Sequence, residues 1–222
     1  MNVAIVIPAR MHSTRLPGKP LVKKDGKTLI QHVWEQAKAT DYDVVVATDH
    51  QDIQDCVQDF GGKAIMTDAD LPTGTDRCAE ILKHTDHSIV VNLQGDMPNV
   101  NRHMIDLVVA RLKDYPVSTL YTTMPKDRQD DPSTVKMIRH DTQALWFGRG
   151  MTGYGDWHLG IYAFSSNVLS SFQTLDVTLE EDVEKLEQLR WLKNGYKIGC
   201  DWVEFNGIEI NTEEDYKVWC SQ

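Results

Sequence analysis

Short apolar runs alternate with helical patterns through the first half of the chain. Three of these runs, at residues 3–7, 44–47 and 89–93, are typical of strands that are buried on both faces. A shorter strand is predicted at residues 63–66. Between them, apolar residues recur at helical spacing over residues 29–37, 53–60 and 76–83, and Gly61-Gly62 is placed to end the second helix. This alternation predicts an α/β fold, with a mainly parallel sheet and helices on both faces.

The second half of the chain has a less regular pattern. Its strand-like segments cover residues 117–123, 134–139, 144–147, 159–164, 198–203 and 208–210. A helix is predicted over 183–192, and Thr212 is placed to cap a final helix. We therefore predict one domain over residues 1–222, with a smaller, mostly β lobe at about 124–164.

Composition limits the partners that the chain can attract. The 222 residues carry a net charge of −10, so they offer no general attraction for nucleic acid or for an anionic membrane. Anionic ligands would need local cations, backbone N–H groups or a metal ion. The apolar run at the N-terminus is too short for a secretory signal, and the four cysteines lack zinc-ligand spacing. A cytoplasmic location is therefore expected.

A basic loop follows the first predicted strand. It spans residues 8–20 and carries Arg10, Arg15 and Lys19 within ten residues of an otherwise acidic chain. Ligands of open α/β sheets bind at the carboxyl ends of the strands, where this loop lies. Guanidinium and ammonium groups there can surround the phosphates of a nucleoside triphosphate. The loop lacks the Walker A pattern, so it predicts a triphosphate site of another kind.

Two further loops carry candidate chemistry. Asp96 follows the strand at 89–93 and is placed to hold Mg²⁺, although Gly95-Asp96 is equally consistent with a simple turn. Residues 73–77 could present backbone and hydroxyl groups to a nucleotide, or could only cap the helix that begins there. The spacing alone leaves both alternatives open.

Taken together, these loops resemble the CMP-Kdo synthetase (3-deoxy-manno-octulosonate cytidylyltransferase) family. The pattern R-x-x-S-x-R-x-P-x-K is filled by Arg10, Ser13, Arg15, Pro17 and Lys19. Further matches follow in the family's order at residues 27–37, 46–50, 74–77, 94–96, 131–136, 144–147, 158–162 and 186–190. The resemblance spans nearly the whole chain and implies a Rossmann-like nucleotidyltransferase fold.

The resemblance also implies a reaction and its site. CTP and Mg²⁺ would bind, the anomeric hydroxyl of a 3-deoxy-ulosonic acid, Kdo by default, would attack the α-phosphorus, and pyrophosphate would leave. The catalytic residues would be Arg10, Arg15, Lys19 and Asp96. The nucleotide would contact Pro8, Ala9, Arg10, Ser13, Arg15, Lys19, Gly74, Thr75 and Arg77. The sugar would contact Gln94, His158, Glu187 and Gln188, and Asp96 and Asn211 would bind the metal. A homodimer and a role in lipopolysaccharide or capsule assembly are also implied.

Three positions depart from the family's pattern. Met97 replaces a usual glutamate, and Asn211 replaces the aspartate expected as the second metal ligand, which removes a negative charge from that site. Trp157 stands where members often carry a basic residue. These departures keep two alternatives open. One is a cytidylyltransferase for another acidic sugar, such as amino-Kdo or a nonulosonate, and the other is a weakened homologue that only binds nucleotide.

Overall fold

The computed structural model describes residues 2–222 as alternating strands and helices. The strands are β1 Val3–Ala9, β2 Lys23–Lys24, β3 Lys27–Thr28, β4 Asp43–Thr48, β5 Lys63–Met66, β6 Ile89–Leu93, β7 Val117–Thr122, β8 Lys136–His140, β9 Gln143–Gly148, β10 Asp156–Ser165 and β11 Ile198–Trp202. The α-helices are α1 Leu29–Lys38, α2 Gln51–Asp59, α3 Gly74–Ile81, α4 Arg102–Arg111, α5 Ser166–Ser171, α6 Leu179–Glu184, α7 Gln188–Lys193 and α8 Glu213–Ser221. Among the described residues, no helix is long and apolar enough to cross a bilayer.

The main sheet has nine strands within the described part of the chain, in the order β5-β4-β1-β6-β10-β7-β11-β9-β8. The first four strands are mutually parallel, as the sequence pattern predicts. In the rest of the sheet β7 and β11 are parallel to each other, but β10 runs antiparallel to β6, β7 and β8, and β9 runs antiparallel to β8 and β11, which the expectation of a mainly parallel sheet did not include. The sheet is mixed.

The predicted lobe at about 124–164 does not form a separate sheet. Its strands β8 and β9 form a hairpin that ends the main sheet, whereas β10 lies in the centre of that sheet between β6 and β7. The long strand β10 can join both regions because its first residues pair with β8. This segment is therefore an extension of one sheet.

Helices cover both faces of the sheet. Alternate side chains of β1 point to opposite faces, as strand geometry requires. Ile5 and Ile7 pack with residues of α1, α2 and α4 in one apolar cluster. Val6 packs with residues of α3, α5 and α7 in the other. The central strands are thus buried on both faces, and their carboxyl ends are held firmly at one edge.

Two local predictions in the C-terminal third are wrong. The helix predicted over 183–192 is divided into α6 and α7, because Lys185 takes a left-handed conformation with φ of 54° and ends α6. The segment 208–210 has no strand partner, and a single backbone hydrogen bond, from Ile210 to the carbonyl of Asp96, ties it to the loop after β6. The predicted cap is confirmed, since Thr212 and Asp215 form a reciprocal capping box at α8.

A buried ion pair joins α6 and α7 across this break. Arg190 donates to both carboxylate oxygens of Glu181 at 2.6–3.1 Å, and its guanidinium lies 4.0 Å from the ring of Phe172. Both charged side chains are buried. Removing one partner leaves an uncompensated buried charge. We therefore expect Arg190→Met to lower the free energy of unfolding by about 3–5 kcal/mol in urea titrations.

A matched control is the exposed pair formed by Lys193 and Glu180 on the same two helices. Exposed ion pairs contribute little to stability, so Lys193→Met should shift the urea midpoint far less than Arg190→Met. Equal shifts for the two variants would contradict a structural role for the buried pair.

Candidate active site

Three loops converge at the carboxyl ends of β1 and β6, which are adjacent and parallel. The backbone carbonyl of Pro8 would lie only 3.1 Å from a Cβ at Gly95, so glycine allows the loop after β6 to approach β1. The ring of Pro8 likewise packs against Gly74 at the start of α3. Pro8 and the buried Ala9 thus connect the predicted nucleotide loops.

The basic loop after β1 places its three cations in two groups. Gly18 has φ of 66°, a left-handed conformation that favours glycine, and it turns the chain into the short 3-10 helix that begins at Lys19. Lys19 and Arg15 both reach Asn211. Arg10 instead donates to the carbonyl of Pro72 at 3.2 Å, in a neighbouring groove near α6. Ser13 lies half-buried in the same loop.

Lys19 joins the two predicted metal ligands. Its Nζ lies 2.7 Å from Oδ2 of Asp96 and 3.4 Å from Oδ1 of Asn211. Arg15 Nη2 donates to the same Asn211 oxygen at 3.3 Å. The backbone bond from Ile210 to Asp96 holds the segment before Asn211 beside this loop. Two hard oxygen donors from distant parts of the sequence therefore converge on one cation.

A cavity opens beside these oxygens and is lined by all four residues that were predicted to contact the sugar. Its walls come from the loops after β1, β6 and β9, from β10, from the α6–α7 junction and from the segment before α8. The residues predicted from the sequence that line it are Arg15, Thr75, Gln94, Asp96, His158, Glu187, Gln188 and Asn211. Sequence reasoning therefore identified much of one continuous polar wall.

Glu187 lines the cavity and is also bound to the start of α3. One carboxylate oxygen accepts the backbone N–H of Gly74 at 3.1 Å, and the other accepts that of Thr75 at 2.8 Å. These N–H groups belong to the first turn of α3, which favours a negative charge. Glu187 thus fixes the start of α3 against the α6–α7 junction, and both of its oxygens are already engaged.

Arg77 lies apart from the cavity. Its side chain is fully buried and bonds Asp49 at 3.0 Å, the carbonyl of Asp68 at 3.2 Å and the hydroxyl of Thr67. It does not line either groove of the described chain. In the structure Arg77 supports the loop after β5, and its contact with a nucleotide stays a prediction.

Gln94 and Gln188 offer polar atoms to the cavity. Gln94 donates to Asn92 at 3.2 Å and packs against Gly160, which has no side chain at that point. Gln188 is buried, and its amide nitrogen has no hydrogen-bond partner among the described residues. A buried donor without a partner is costly, so Gln188 is suited to receive a ligand oxygen.

His158 is a neutral member of the same wall. Burial lowers its pKa to about 3, and the charge of Arg149 acts in the same direction. Thr119 Oγ1 lies 2.8 Å from the carbonyl of Ile161, to which it donates, and 3.0 Å from Nε2 of His158. The hydroxyl therefore accepts from Nε2–H, which leaves Nδ1 as an acceptor. His158 can thus accept a hydrogen bond from a hydroxyl group, and it carries no charge near neutral pH.

This pKa predicts a pH dependence of stability. Between pH 3 and 6.5 the unfolded chain binds a proton at His158 that the folded chain does not, so stability falls as the pH is lowered. From pH 7.5 to 5, the wild type should lose about 2 kcal/mol more unfolding free energy than His158→Gln. Urea titrations at the two pH values measure the difference. Equal losses of unfolding free energy in the two proteins would contradict the lowered pKa of His158.

Several residues of the cavity carry no clear signal in the sequence. They include Arg149, which follows β9, and Tyr162 on β10. Glu209 precedes Asn211 by two positions and lines the cavity beside Gly160. Burial raises the pKa of Glu209 to about 7, with repulsion from Asp96 as the second cause. Glu209 lies two positions before the predicted metal ligand Asn211, and this proximity could have predicted that Glu209 lines the cavity.

Arg149 is a half-buried cation without an acidic partner. Its Nη1 donates to the carbonyl of Ser133 at 2.7 Å, and its Nε donates to that of Glu184 at 3.2 Å. Among the described residues, no carboxylate lies within 4.0 Å of its guanidinium. Burial lowers its pKa, followed by repulsion from Arg15. The positive charge can therefore receive an anionic ligand.

The fold and the site together define a nucleotidyltransferase. The basic loop lies at the point where the strand order of the sheet reverses, and an aspartate lies beside it. The loop is suited to bind a nucleotide, and the adjoining polar cavity is suited to bind an acceptor. Residues 4–198 match the model of the cytidylyltransferase family. The chain belongs to that family, and the predicted resemblance to CMP-Kdo synthetases is confirmed.

Curated relatives and a solved structure agree with this assignment. The 8-amino-3,8-dideoxy-manno-octulosonate cytidylyltransferase of Shewanella sp. strain ANA-3 is 39% identical, over 98% of this chain and 96% of that protein. The protein of the same name from Shewanella sediminis is 40% identical, over 98% and 97%. A structure of CMP:2-keto-3-deoxy-manno-octonic acid synthetase complexed with CTP has a TM-score of 0.93 at 36% identity and covers 100% of this chain and 98% of that one.

Proposed function

We propose that this chain transfers CMP from CTP to the anomeric hydroxyl of a 3-deoxy-octulosonic acid in a Mg²⁺-dependent reaction. The observation that carries the proposal is the convergence of Lys19, Asp96 and Asn211 at the mouth of a polar cavity. The new bond joins the anomeric oxygen to the α-phosphorus. The bond between the α-phosphorus and the oxygen that bridges it to the β-phosphate breaks. Pyrophosphate leaves, and the proton of the hydroxyl group is released.

The cations of the loop after β1 account for nucleotide binding. Arg15 and Lys19 lie beside Asp96, and Arg10 lies in the neighbouring groove, so a triphosphate could be held along the loop. Phosphoryl transfer depends on positioning and on neutralising charge as the leaving group departs. The chain has a net charge of −10, which repels a triphosphate, so these local cations supply the attraction that binding requires.

Asp96 and Asn211 fit a magnesium site. Both contribute hard oxygen atoms, and both oxygens already lie within hydrogen-bond distance of the same ammonium group. Bound Mg²⁺ would neutralise charge on the phosphates. The amide of Asn211 gives this pair one negative charge instead of two, so the chain should require a higher Mg²⁺ concentration than a protein with aspartate in that place.

The cavity suits an acidic, hydroxylated sugar. Arg149 offers a positive charge to the carboxylate of a ulosonic acid. His158 offers an acceptor, and Gln188 offers a donor, to sugar hydroxyls. These groups line the same cavity as Asp96, whereas Arg10 lines the neighbouring groove, so an acceptor in the cavity would lie next to the nucleotide phosphates.

Two acceptors of this class are candidates. Kdo is the simplest one, and the related structure in complex with CTP carries the Kdo synthetase name. Its 8-amino analogue, 8-amino-3,8-dideoxy-manno-octulosonate, is favoured by the names of the curated relatives at 39–40% identity. The two sugars differ by a hydroxyl and an ammonium group at one carbon.

Pyrophosphate release by the purified protein tests the proposal. Reactions with Mg²⁺ should contain CTP or UTP and either Kdo, its 8-amino analogue, a nonulosonate or no sugar. We expect release only with CTP and an octulosonate. Release only with the nonulosonate would change the acceptor class. Binding of CTP without release for any sugar would instead support a weakened homologue.

A further inference from the structure

Three carboxylates line the cavity, and two of them already have partners. Asp96 pairs with Lys19 at 2.7 Å. Glu187 accepts two backbone hydrogen bonds from the start of α3. Glu209 is the third, and in the described part of the chain no cationic nitrogen lies within 4.0 Å of its carboxylate. The backbone N–H of Gly160 acts on this carboxylate, but no cation of the described residues pairs with it, so its charge is available to a ligand.

The backbone around Glu209 is held in place. Ile208 donates its N–H to the side chain of Asn99 at 3.2 Å, and Ile210 donates to the carbonyl of Asp96 at 3.0 Å. Both isoleucines are buried, so the residue between them projects from an anchored segment. Glu209 lines the cavity together with Gly160, whose missing side chain makes room for Gln94. A carboxylate held in this way can recognise a group at a defined position.

No neighbouring cation in the described chain forms an ion pair with Glu209, so its negative charge is not neutralised by the protein. Asp96 repels it, while Arg128 and Arg149 attract it from beyond ion-pair distance. Arg128 lies over the ring of Trp157 at 4.3 Å, and Arg149 is fixed by two backbone carbonyls. The cavity thus contains a cation, Arg149, and a carboxylate, Glu209, and neither has an oppositely charged partner within 4.0 Å among the described residues. A ligand with both a carboxylate and an ammonium group is the complement of this arrangement.

We propose that Glu209 is a specificity-determining residue that pairs with a primary ammonium group of the acceptor, so that the chain prefers an amino-bearing ulosonic acid to its hydroxyl analogue. This inference rests on the proposed cytidylyl transfer. The carboxylate of the sugar would pair with Arg149, and the ammonium group with Glu209. A hydroxyl in place of the ammonium group would leave Glu209 without a counter-charge.

The test compares Glu209→Gln with the wild type on two acceptors. We expect kcat/KM for 8-amino-3,8-dideoxy-manno-octulosonate to fall by about tenfold to a hundredfold, as for loss of a charged hydrogen bond, and kcat/KM for Kdo to stay nearly constant. Glu204→Gln is the matched control, since Glu204 is exposed on the same segment. It should leave both values unchanged.

Different failures have different meanings. Equal losses on both sugars, or a wild type that prefers Kdo, would overturn the role of Glu209 and leave cytidylyl transfer intact. Weaker Mn²⁺ binding by Glu209→Gln, measured by electron paramagnetic resonance, would assign Glu209 to the metal site and also overturn the inference. No turnover of either sugar by the wild type would contradict the proposed function itself.

Discussion

Replacing Lys19 with methionine should lower kcat for cytidylyl transfer by about a hundredfold to a thousandfold. Lys19 is the cation that lies against both Asp96 and Asn211. In the proposed reaction its charge stabilises the negative charge that develops on the departing pyrophosphate, and methionine retains the length of the side chain without that charge. Initial rates of CTP-dependent pyrophosphate release, with both substrates saturating, measure the effect.

A general loss of positive charge should not have this consequence. Lys23 is exposed a few residues further along the chain, so Lys23→Met is the matched control and should retain full activity. Both variants should unfold at the wild-type temperature within a few degrees, because Lys19 is not part of the apolar core. Wild-type kcat in Lys19→Met would mean that Lys19 does not act on the leaving group.

Substitution of Asp96 by asparagine should reduce activity by about a hundredfold or more at ordinary Mg²⁺ concentrations. Asp96 supplies the single negative charge of the proposed metal pair, and the variant would present two neutral amides. The companion variant Asn211→Asp adds a charge at the same place and should lower the Mg²⁺ concentration needed for half-maximal rate. Titrations of rate against Mg²⁺ measure both effects.

A measurement of metal affinity distinguishes a metal-binding role of Asp96 from a purely structural one. Mn²⁺ affinity in the presence of CTP should fall in Asp96→Asn and rise in Asn211→Asp. The exposed variant Asp52→Asn, in the first turn of α2, should bind Mn²⁺ as the wild type does. If Asn211→Asp binds the metal no better, or loses activity, the amide is adapted to a different geometry.

The sequence pattern predicts the first half of the fold well because burial and strand pairing coincide there. β1, β4 and β6 are apolar runs buried on both faces, and a parallel arrangement follows from the helices between them. The direction of β10 was not predictable in this way, because apolar periodicity is the same for either direction of a strand. Its position between β6 and β7 is set by long-range pairing.

The break between α6 and α7 shows another limit. Residues around Lys185 have helical periodicity, and lysine is a good helix former. The left-handed conformation of Lys185 allows Glu187 to reach the first turn of α3, a contact between residues more than a hundred positions apart. Tertiary contacts therefore override the local preference at this place.

Candidate site residues were predictable where a loop carries its own chemical signal. Lys19, Asp96 and Asn211 follow from charge, strand ends and motif, and the structure brings them together. Arg77 shows that a motif cannot reveal which way a side chain points, because its partners Asp49 and Thr67 lie on other elements. Arg149 was missed for the same reason, since an arginine after a hairpin is most often exposed to solvent.

The most direct test of the account is to identify the bond that forms. Purified protein should be incubated with CTP, Mg²⁺ and an octulosonate labelled with ¹³C at the anomeric carbon, and followed by ³¹P and ¹³C nuclear magnetic resonance. The account predicts a phosphodiester signal coupled to the labelled carbon, together with pyrophosphate. Loss of CTP without this coupling, or no change in CTP when both sugars are supplied, would contradict cytidylyl transfer.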